Sequence, residues 1–142
     1  MDQIHMLLVE DNPGDVLLTK EALRDSKIRN NMTVVGTGEM ALDFLYRRGD
    51  YEDATPVDLI LLDLNLPGVD GYEVLEVIKQ DEKLRRVPVV VLTSSAAESD
   101  RLKSYNLHAN CFVTKPLGAE AFYSIVRQIE QFWLKIVGLP PR

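Results

Sequence analysis

The chain has 142 residues, a formal net charge of -6 at pH 7 and one cysteine, Cys111. This length fits a single domain over residues 1–142. The acidic balance opposes binding to nucleic acid phosphates, and a lone cysteine forms no internal disulfide. No apolar run reaches the roughly 20 residues of a membrane span. We therefore expect a cytoplasmic protein that binds neither nucleic acid nor membrane.

Apolar runs alternate with helical patterns along the chain, which is typical of an α/β fold with a parallel sheet covered by helices on both faces. Asn30 and Asn31 are predicted to form a turn before the second strand. Strands are predicted over residues 4–9, 32–36, 57–62, 88–92 and 110–114. Helices are predicted over residues 13–26, 39–48, 71–80, 99–106 and 119–136.

Polar groups follow four of these five strands. They are Glu10 and Asp11 after the first, Asp63 after the third, Thr93 after the fourth and Lys115 after the fifth. Ligands of open parallel sheets bind at the carboxyl ends of the strands. We therefore expect these groups to form one acidic site that contains a single cation.

Three carboxylates in one site repel each other unless a divalent cation lies among them, and their hard oxygen ligands favour Mg2+. With charge neutralised by the metal and Lys115, the Asp63 carboxylate can attack phosphorus. The Thr93 hydroxyl can then donate to a phosphoryl oxygen. Taken singly, Asp63 could be a loop cap, Thr93 a strand former and Lys115 a surface residue; only their combination favours chemistry.

In order and spacing, these motifs resemble the receiver domain of two-component response regulators over nearly the full chain. The motifs are Val9-Glu10-Asp11-Asn12, Asp63-Leu64-Asn65-Leu66-Pro67-Gly68 with Asp70-Gly71, Leu92-Thr93-Ser94 and Thr114-Lys115-Pro116. The resemblance implies a CheY-like, doubly wound (βα)5 sheet in the order 2-1-3-4-5. It also implies that Asp63 takes a phosphoryl group from a phosphohistidine on a sensor histidine kinase.

The resemblance also implies roles for single residues. Glu10, Asp11, Asp63 and the backbone carbonyl of Asn65 would bind Mg2+, and Lys115 would bind the phosphoryl oxygens. Thr93 would move toward these oxygens on phosphorylation. Phe112 would follow by changing its rotamer, although many members of the family have tyrosine there. An ordinary core position is the other interpretation of Phe112.

A closer resemblance is to the small regulators that partner cyanobacterial phytochromes. It is carried by Val9-Glu10-Asp11-Asn12 with Asp15, the loop over residues 49–56, and the endings Leu107-His108-Ala109-Asn110-Cys111 and Phe132-Trp133-Leu134. It implies a phytochrome-type kinase as the partner. A relay intermediate or a phosphate sink for another histidine kinase is the alternative.

The last predicted helix is about 27 Å long and should extend beyond a sheet whose strands are about 17 to 20 Å long. The apolar residues of this C-terminal extension, over residues 132–142, then need another surface to pack against. We expect a homodimer formed by Phe112, Phe132, Trp133 and Ile136. A tail that folds back on its own monomer is the alternative.

Three other functions share parts of this pattern. A haloacid-dehalogenase-type phosphatase also uses an aspartate nucleophile and Mg2+, but it usually has a second aspartate where this chain has Asn65. A flavodoxin-like FMN binder would need a phosphate loop after the first strand. A degenerate receiver would lack part of the acidic site. We therefore expect a phosphoacceptor that assists its own phosphorylation and dephosphorylation, and not an enzyme.

Overall fold

The computed structural model describes residues 4–25, 29–93, 111–115, 117–124 and 127. Five parallel strands form one sheet in the order β2-β1-β3-β4-β5, as the resemblance implies. The strands are β1 (Ile4–Val9), β2 (Asn30–Val35), β3 (Leu59–Asp63), β4 (Val89–Thr93) and β5 (Cys111–Thr114). The helices are α1 (Pro13–Arg24), α2 (Gly38–Leu45) and α3 (Gly71–Gln80), with 3-10 turns at Gly49–Tyr51 and Leu84–Arg86. Residues 119–124 are also helical.

Apolar side chains cover both faces of the sheet, which is why the strands read as continuous apolar runs. One face packs against α2 and α3, with Leu7, Ile60, Leu62 and Val91 in the same cluster as Phe44, Val74, Leu75 and Ile78. The other face packs against α1 and residues 119–124, with Met6, Leu8, Leu61 and Val90 in the same cluster as Leu23 and Phe122. β1, β3 and β4 are therefore fixed from both sides.

The second strand begins earlier than the sequence predicts. Asn30 and Asn31 lie in β2, paired with Ile4 and His5 of β1, and do not form a turn. The Asn30 side chain donates a hydrogen bond to the Leu23 carbonyl at 3.2 Å. This contact with α1 stabilises a residue type that usually disfavours strands.

Side-chain caps set the helix starts near the carboxyl edge of the sheet. The Asn12 side chain accepts a hydrogen bond from the Asp15 N–H at 3.0 Å, and the Asp70 side chain accepts one from the Glu73 N–H at 3.0 Å. Both residues occupy the N-cap position in which short polar side chains stabilise a helix. The caps thus fix where α1 begins after β1 and where α3 begins after the loop that follows β3.

Some predicted features lie outside the described residues. They include the helix over residues 99–106 and most of the helix over residues 119–136. Among the residues that are described, none belongs to a helix long and apolar enough to cross a membrane.

Candidate phosphoacceptor site

The carboxyl ends of β1, β3 and β5 bring Glu10, Asp63 and Lys115 into contact. Lys115 Nζ lies 2.8 Å from Glu10 Oε1 and 3.2 Å from Asp63 Oδ2. Glu10 and Asp63 are each only 2% exposed. The structure thus brings together the acids and the cation that the sequence places at separate strand ends.

Asp11 joins the two buried acids to form a possible metal site. Glu10, Asp11 and Asp63 each offer a carboxylate oxygen, and these atoms lie within 4.8 Å of one another. Asp11 is exposed, so the site opens to water on one side. The buried Glu10 Oε1 accepts no hydrogen bond of good geometry, although Lys115 Nζ is close. Hard oxygen ligands with one open side suit a divalent cation that keeps some of its waters.

Burial and neighbouring charges shift the pKa values of Glu10 and Lys115. Burial and a hydrogen bond with Asp63 raise the pKa of Glu10 from 4.5 to about 7, although Lys115 acts in the opposite sense. Burial alone would lower the pKa of Lys115, but Glu10, Asp15 and Asp63 raise it above its usual value. Lys115 is therefore a permanent cation, whereas Glu10 ionises readily only when another positive charge joins the site.

The loop between β3 and α3 holds Asp63 in position. The Asn65 N–H donates to Asp63 Oδ1 at 3.1 Å, and the Gly71 N–H donates to the Leu64 carbonyl at 3.1 Å. A Cβ atom on Gly71 would clash with the backbone of Asp63 and Leu64. Glycine at this position lets the start of α3 approach the end of β3 closely.

Thr93 and Phe112 lie on the two strands beyond Asp63. Thr93 is fully buried at the end of β4, and its hydroxyl donates to the Val113 carbonyl at 3.4 Å. The backbone of Phe112 lies in β5 opposite Val91. The side chain of Phe112, and the whole of Phe132, Trp133 and Ile136, lie outside the part of the chain that the structure describes.

Two acidic residues make contacts that were not predicted, one with Lys115 and one with the loop after β3. Asp15, in the first turn of α1, accepts a hydrogen bond from Lys115 Nζ at 3.0 Å. Glu39, at the start of α2, accepts one from the Val69 N–H at 3.1 Å and so contacts the loop after β3. The signal in the sequence was the place of each acid in the first turn of a helix, and Asp15 also belongs to the pattern that resembles the phytochrome regulators.

Comparison with known proteins identifies the family. Residues 6–127 match the response regulator receiver domain. The chain belongs to this family. Receiver domains accept a phosphoryl group from histidine kinases and bind a divalent metal, so the chain is a phosphoacceptor of two-component signalling.

Relatives with similar sequences and structures span nearly the whole chain. The response regulator Rcp1 of Synechocystis is 47% identical over 135 residues, which are 95% of this chain and 92% of Rcp1. The Mn2+-bound form of Rcp1 matches with a TM-score of 0.74, 46% identity and coverage of 97% and 99%.

Two further solved structures are described as phytochrome response regulators. The phosphorylated cyanobacterial phytochrome response regulator RcpA matches with a TM-score of 0.76, 44% identity and coverage of 99% of both chains. The bacteriophytochrome response regulator AtBRR matches with a TM-score of 0.85, 41% identity and coverage of 94% and 96%. The chain is thus similar to regulators of this class.

The raised pKa of Glu10 predicts how the stability of the metal-free protein depends on pH. Because the folded state holds this proton up to about pH 7 and the unfolded chain only to about 4.5, the contribution of Glu10 to stability is lost as pH rises through this window. Glu10→Gln, which mimics the protonated form, should remove this dependence. It should also raise the free energy of unfolding above pH 7 by about 1 to 3 kcal/mol.

Urea unfolding in EDTA at several pH values between 4 and 8 measures this effect. Asp43→Asn is a suitable control, because Asp43 lies on α2 and forms an exposed ion pair with Arg48, which follows that helix. If Glu10→Gln destabilises the metal-free protein at pH 8, Glu10 is ionised there without cost and the prediction is wrong.

Proposed function

We propose that Asp63 is the residue that accepts the phosphoryl group. The observation that supports it is a buried carboxylate at the end of β3, 3.2 Å from a lysine ammonium and within a group of three acids suited to a divalent cation. Its other oxygen accepts the Asn65 N–H, which fixes the plane of the carboxylate. A carboxylate held in one orientation is a suitable nucleophile for an in-line attack on phosphorus.

In the proposed reaction, an Asp63 carboxylate oxygen forms a bond to the phosphorus of a phosphohistidine. The bond from phosphorus to the imidazole nitrogen breaks, and its electron pair stays on the imidazole. The product is an acyl phosphate on Asp63. Attack by water on the same phosphorus later releases inorganic phosphate and restores the carboxylate.

Glu10, Asp11, Asp63 and the backbone carbonyl of Asn65 would hold Mg2+. When bound, the cation neutralises charge on the phosphoryl oxygens during transfer. Lys115 would contact another phosphoryl oxygen, since its ammonium already lies beside Asp63. Glu10 supports this assignment because its ionised form needs an added positive charge.

Thr93 would report the phosphorylated state to the surface. Its hydroxyl donates to Val113 at 3.4 Å, a long hydrogen bond that a phosphoryl oxygen can replace at little cost. In the proposed switch, Thr93 turns toward the phosphoryl group, and Phe112 changes its rotamer on the neighbouring strand.

Labelling with a small phosphoryl donor tests the assignment of Asp63. Incubation with acetyl phosphate and Mg2+ should add one phosphoryl group to the intact protein, as seen by mass spectrometry. Asp63→Asn should abolish the labelling because an amide is not a comparable nucleophile. EDTA should suppress it in the native chain.

Asp58→Asn is an informative control, because Asp58 is a buried aspartate directly before β3 that accepts a hydrogen bond from the His5 N–H at 2.9 Å. Labelling of Asp63→Asn at the native rate would place the phosphoryl group elsewhere. Many turnovers of p-nitrophenyl phosphate per chain would instead indicate a phosphatase.

We infer that the physiological donor is a histidine kinase of the phytochrome class. The support is the similarity, over at least 94% of each chain, to RcpA and AtBRR, both of which are described as phytochrome response regulators. A phytochrome kinase that carries radiolabelled phosphohistidine should transfer its label to the native chain within minutes and not to Asp63→Asn. Equal transfer rates from unrelated histidine kinases would contradict this choice of partner.

The second proposed partner is another copy of this chain, in a homodimer. It would be formed by Phe112, Phe132, Trp133 and Ile136 and would transmit the signal through protein contacts. It stays a prediction from the sequence, because these side chains lie outside the described residues.

A further inference from the structure

Lys115 has three carboxylate neighbours, and they differ in what else they do. A lysine ammonium has three N–H donors and no acceptor. Its nitrogen lies 2.8 Å from Glu10, 3.0 Å from Asp15 and 3.2 Å from Asp63. The ammonium donates a hydrogen bond to Asp15 and lies within ion-pair distance of Glu10 and Asp63.

Asp15 is the one neighbour of Lys115 that is outside the possible metal site. Among the described residues, that site consists of Glu10, Asp11 and Asp63. A cation bound there would take oxygens of Glu10 and Asp63 as ligands and would weaken their interaction with the ammonium. The hydrogen bond to Asp15 would remain available to Lys115.

The backbone contacts of Asp15 leave its carboxylate available for Lys115. Its backbone N–H donates to the Asn12 side chain, and its carbonyl accepts the Thr19 hydroxyl at 2.9 Å. These backbone contacts fix the first turn of α1 without using the carboxylate. The carboxylate is free to reach Lys115, which is 100 residues away in the sequence.

We propose that Asp15 is a positioning residue that keeps the ammonium of Lys115 beside Asp63 while the metal and the phosphoryl group enter. The inference rests on the proposed phosphorylation of Asp63. The Asp15 carboxylate, which is outside the possible metal site, holds the Lys115 ammonium 3.2 Å from the Asp63 carboxylate. An arriving phosphoryl oxygen thus finds the donor already in place, and ordering the lysine adds little to the barrier.

If Asp15 competed with the phosphoryl group for Lys115, removal of Asp15 would change the rate of phosphorylation in the opposite direction. If Asp15 held Lys115 away from the phosphoryl oxygens, its removal would free the lysine and speed up phosphorylation. The rate of labelling therefore distinguishes a positioning residue from a competing one.

The rate is measured with acetyl phosphate at saturating Mg2+. Asp15→Asn preserves the shape and leaves a neutral acceptor, whereas Asp15→Ala removes the acceptor. We expect labelling to be about fivefold slower in the first and up to about thirtyfold slower in the second, since a charge-assisted hydrogen bond is lost. Asp43→Asn also removes one negative charge and one ion pair, at an exposed position on α2. Its labelling rate should stay within about twofold of the native rate.

A double-mutant cycle shows whether Asp15 acts through the lysine. In a Lys115→Met background, Asp15→Ala should slow labelling no further, because the group that it positions is gone. An undiminished effect in that background would overturn the inference, since Asp15 would then act directly on the metal or on helix α1. A native or faster rate in Asp15→Ala alone would overturn it as well.

A spectroscopic measurement separates this inference from the proposed function. In the Mg2+-loaded native chain at low temperature, the Lys115 ammonium should give a 1H–15N signal, assigned by its loss in Lys115→Arg. The signal should persist in Asp43→Asn and disappear in Asp15→Ala. Persistence in Asp15→Ala would overturn the inference even if Asp63 is labelled. Absence of labelling in the native chain would instead contradict the proposed function, and the lysine signal would still show whether Asp15 holds the ammonium.

Discussion

One lysine ammonium lies among carboxylates at the carboxyl edge of the sheet, and the candidate site depends on it. Lys115 contacts Glu10, Asp15 and Asp63 within 3.2 Å, and two of these acids are buried. Buried like charges repel each other strongly unless an opposite charge lies among them. Burial of Glu10 and its hydrogen bond with Asp63 outweigh the effect of this one cation and raise the pKa of Glu10 to about 7. The remaining imbalance is what a divalent cation can neutralise.

The apolar core stabilises the strands whose ends hold these charged groups. β1, β3 and β4 are buried by apolar clusters on both faces, and burial of apolar surface contributes about 25 cal/mol per Å2. These strands are therefore packed on both faces. Asp63 and Thr93 are the last residues of β3 and β4, and Glu10 follows β1 directly. Loops supply the remaining parts, fixed by local contacts such as Glu39 with Val69.

The sheet and the convergence of the acids followed from the sequence because they depend on regular features. Buried parallel strands give continuous apolar runs, and the carboxyl ends of parallel strands share an edge. The start of β2 was predicted wrongly because propensity favours a turn at Asn30, whereas pairing with Ile4 and a hydrogen bond to Leu23 decide otherwise. The contact of Asp15 with Lys115 was not predicted because it depends on side-chain directions from two elements that are 100 residues apart.

A crystal structure with Mg2+ and fluoroberyllate, a mimic of the phosphoryl group, tests the central claim most directly. We expect beryllium bonded to one Asp63 oxygen and the cation bound by Glu10, Asp11 and Asp63 at about 2.0 to 2.1 Å. The Lys115 ammonium should contact a fluorine atom. Fluoroberyllate on another residue, or a cation bound away from these three acids, would contradict phosphorylation of Asp63.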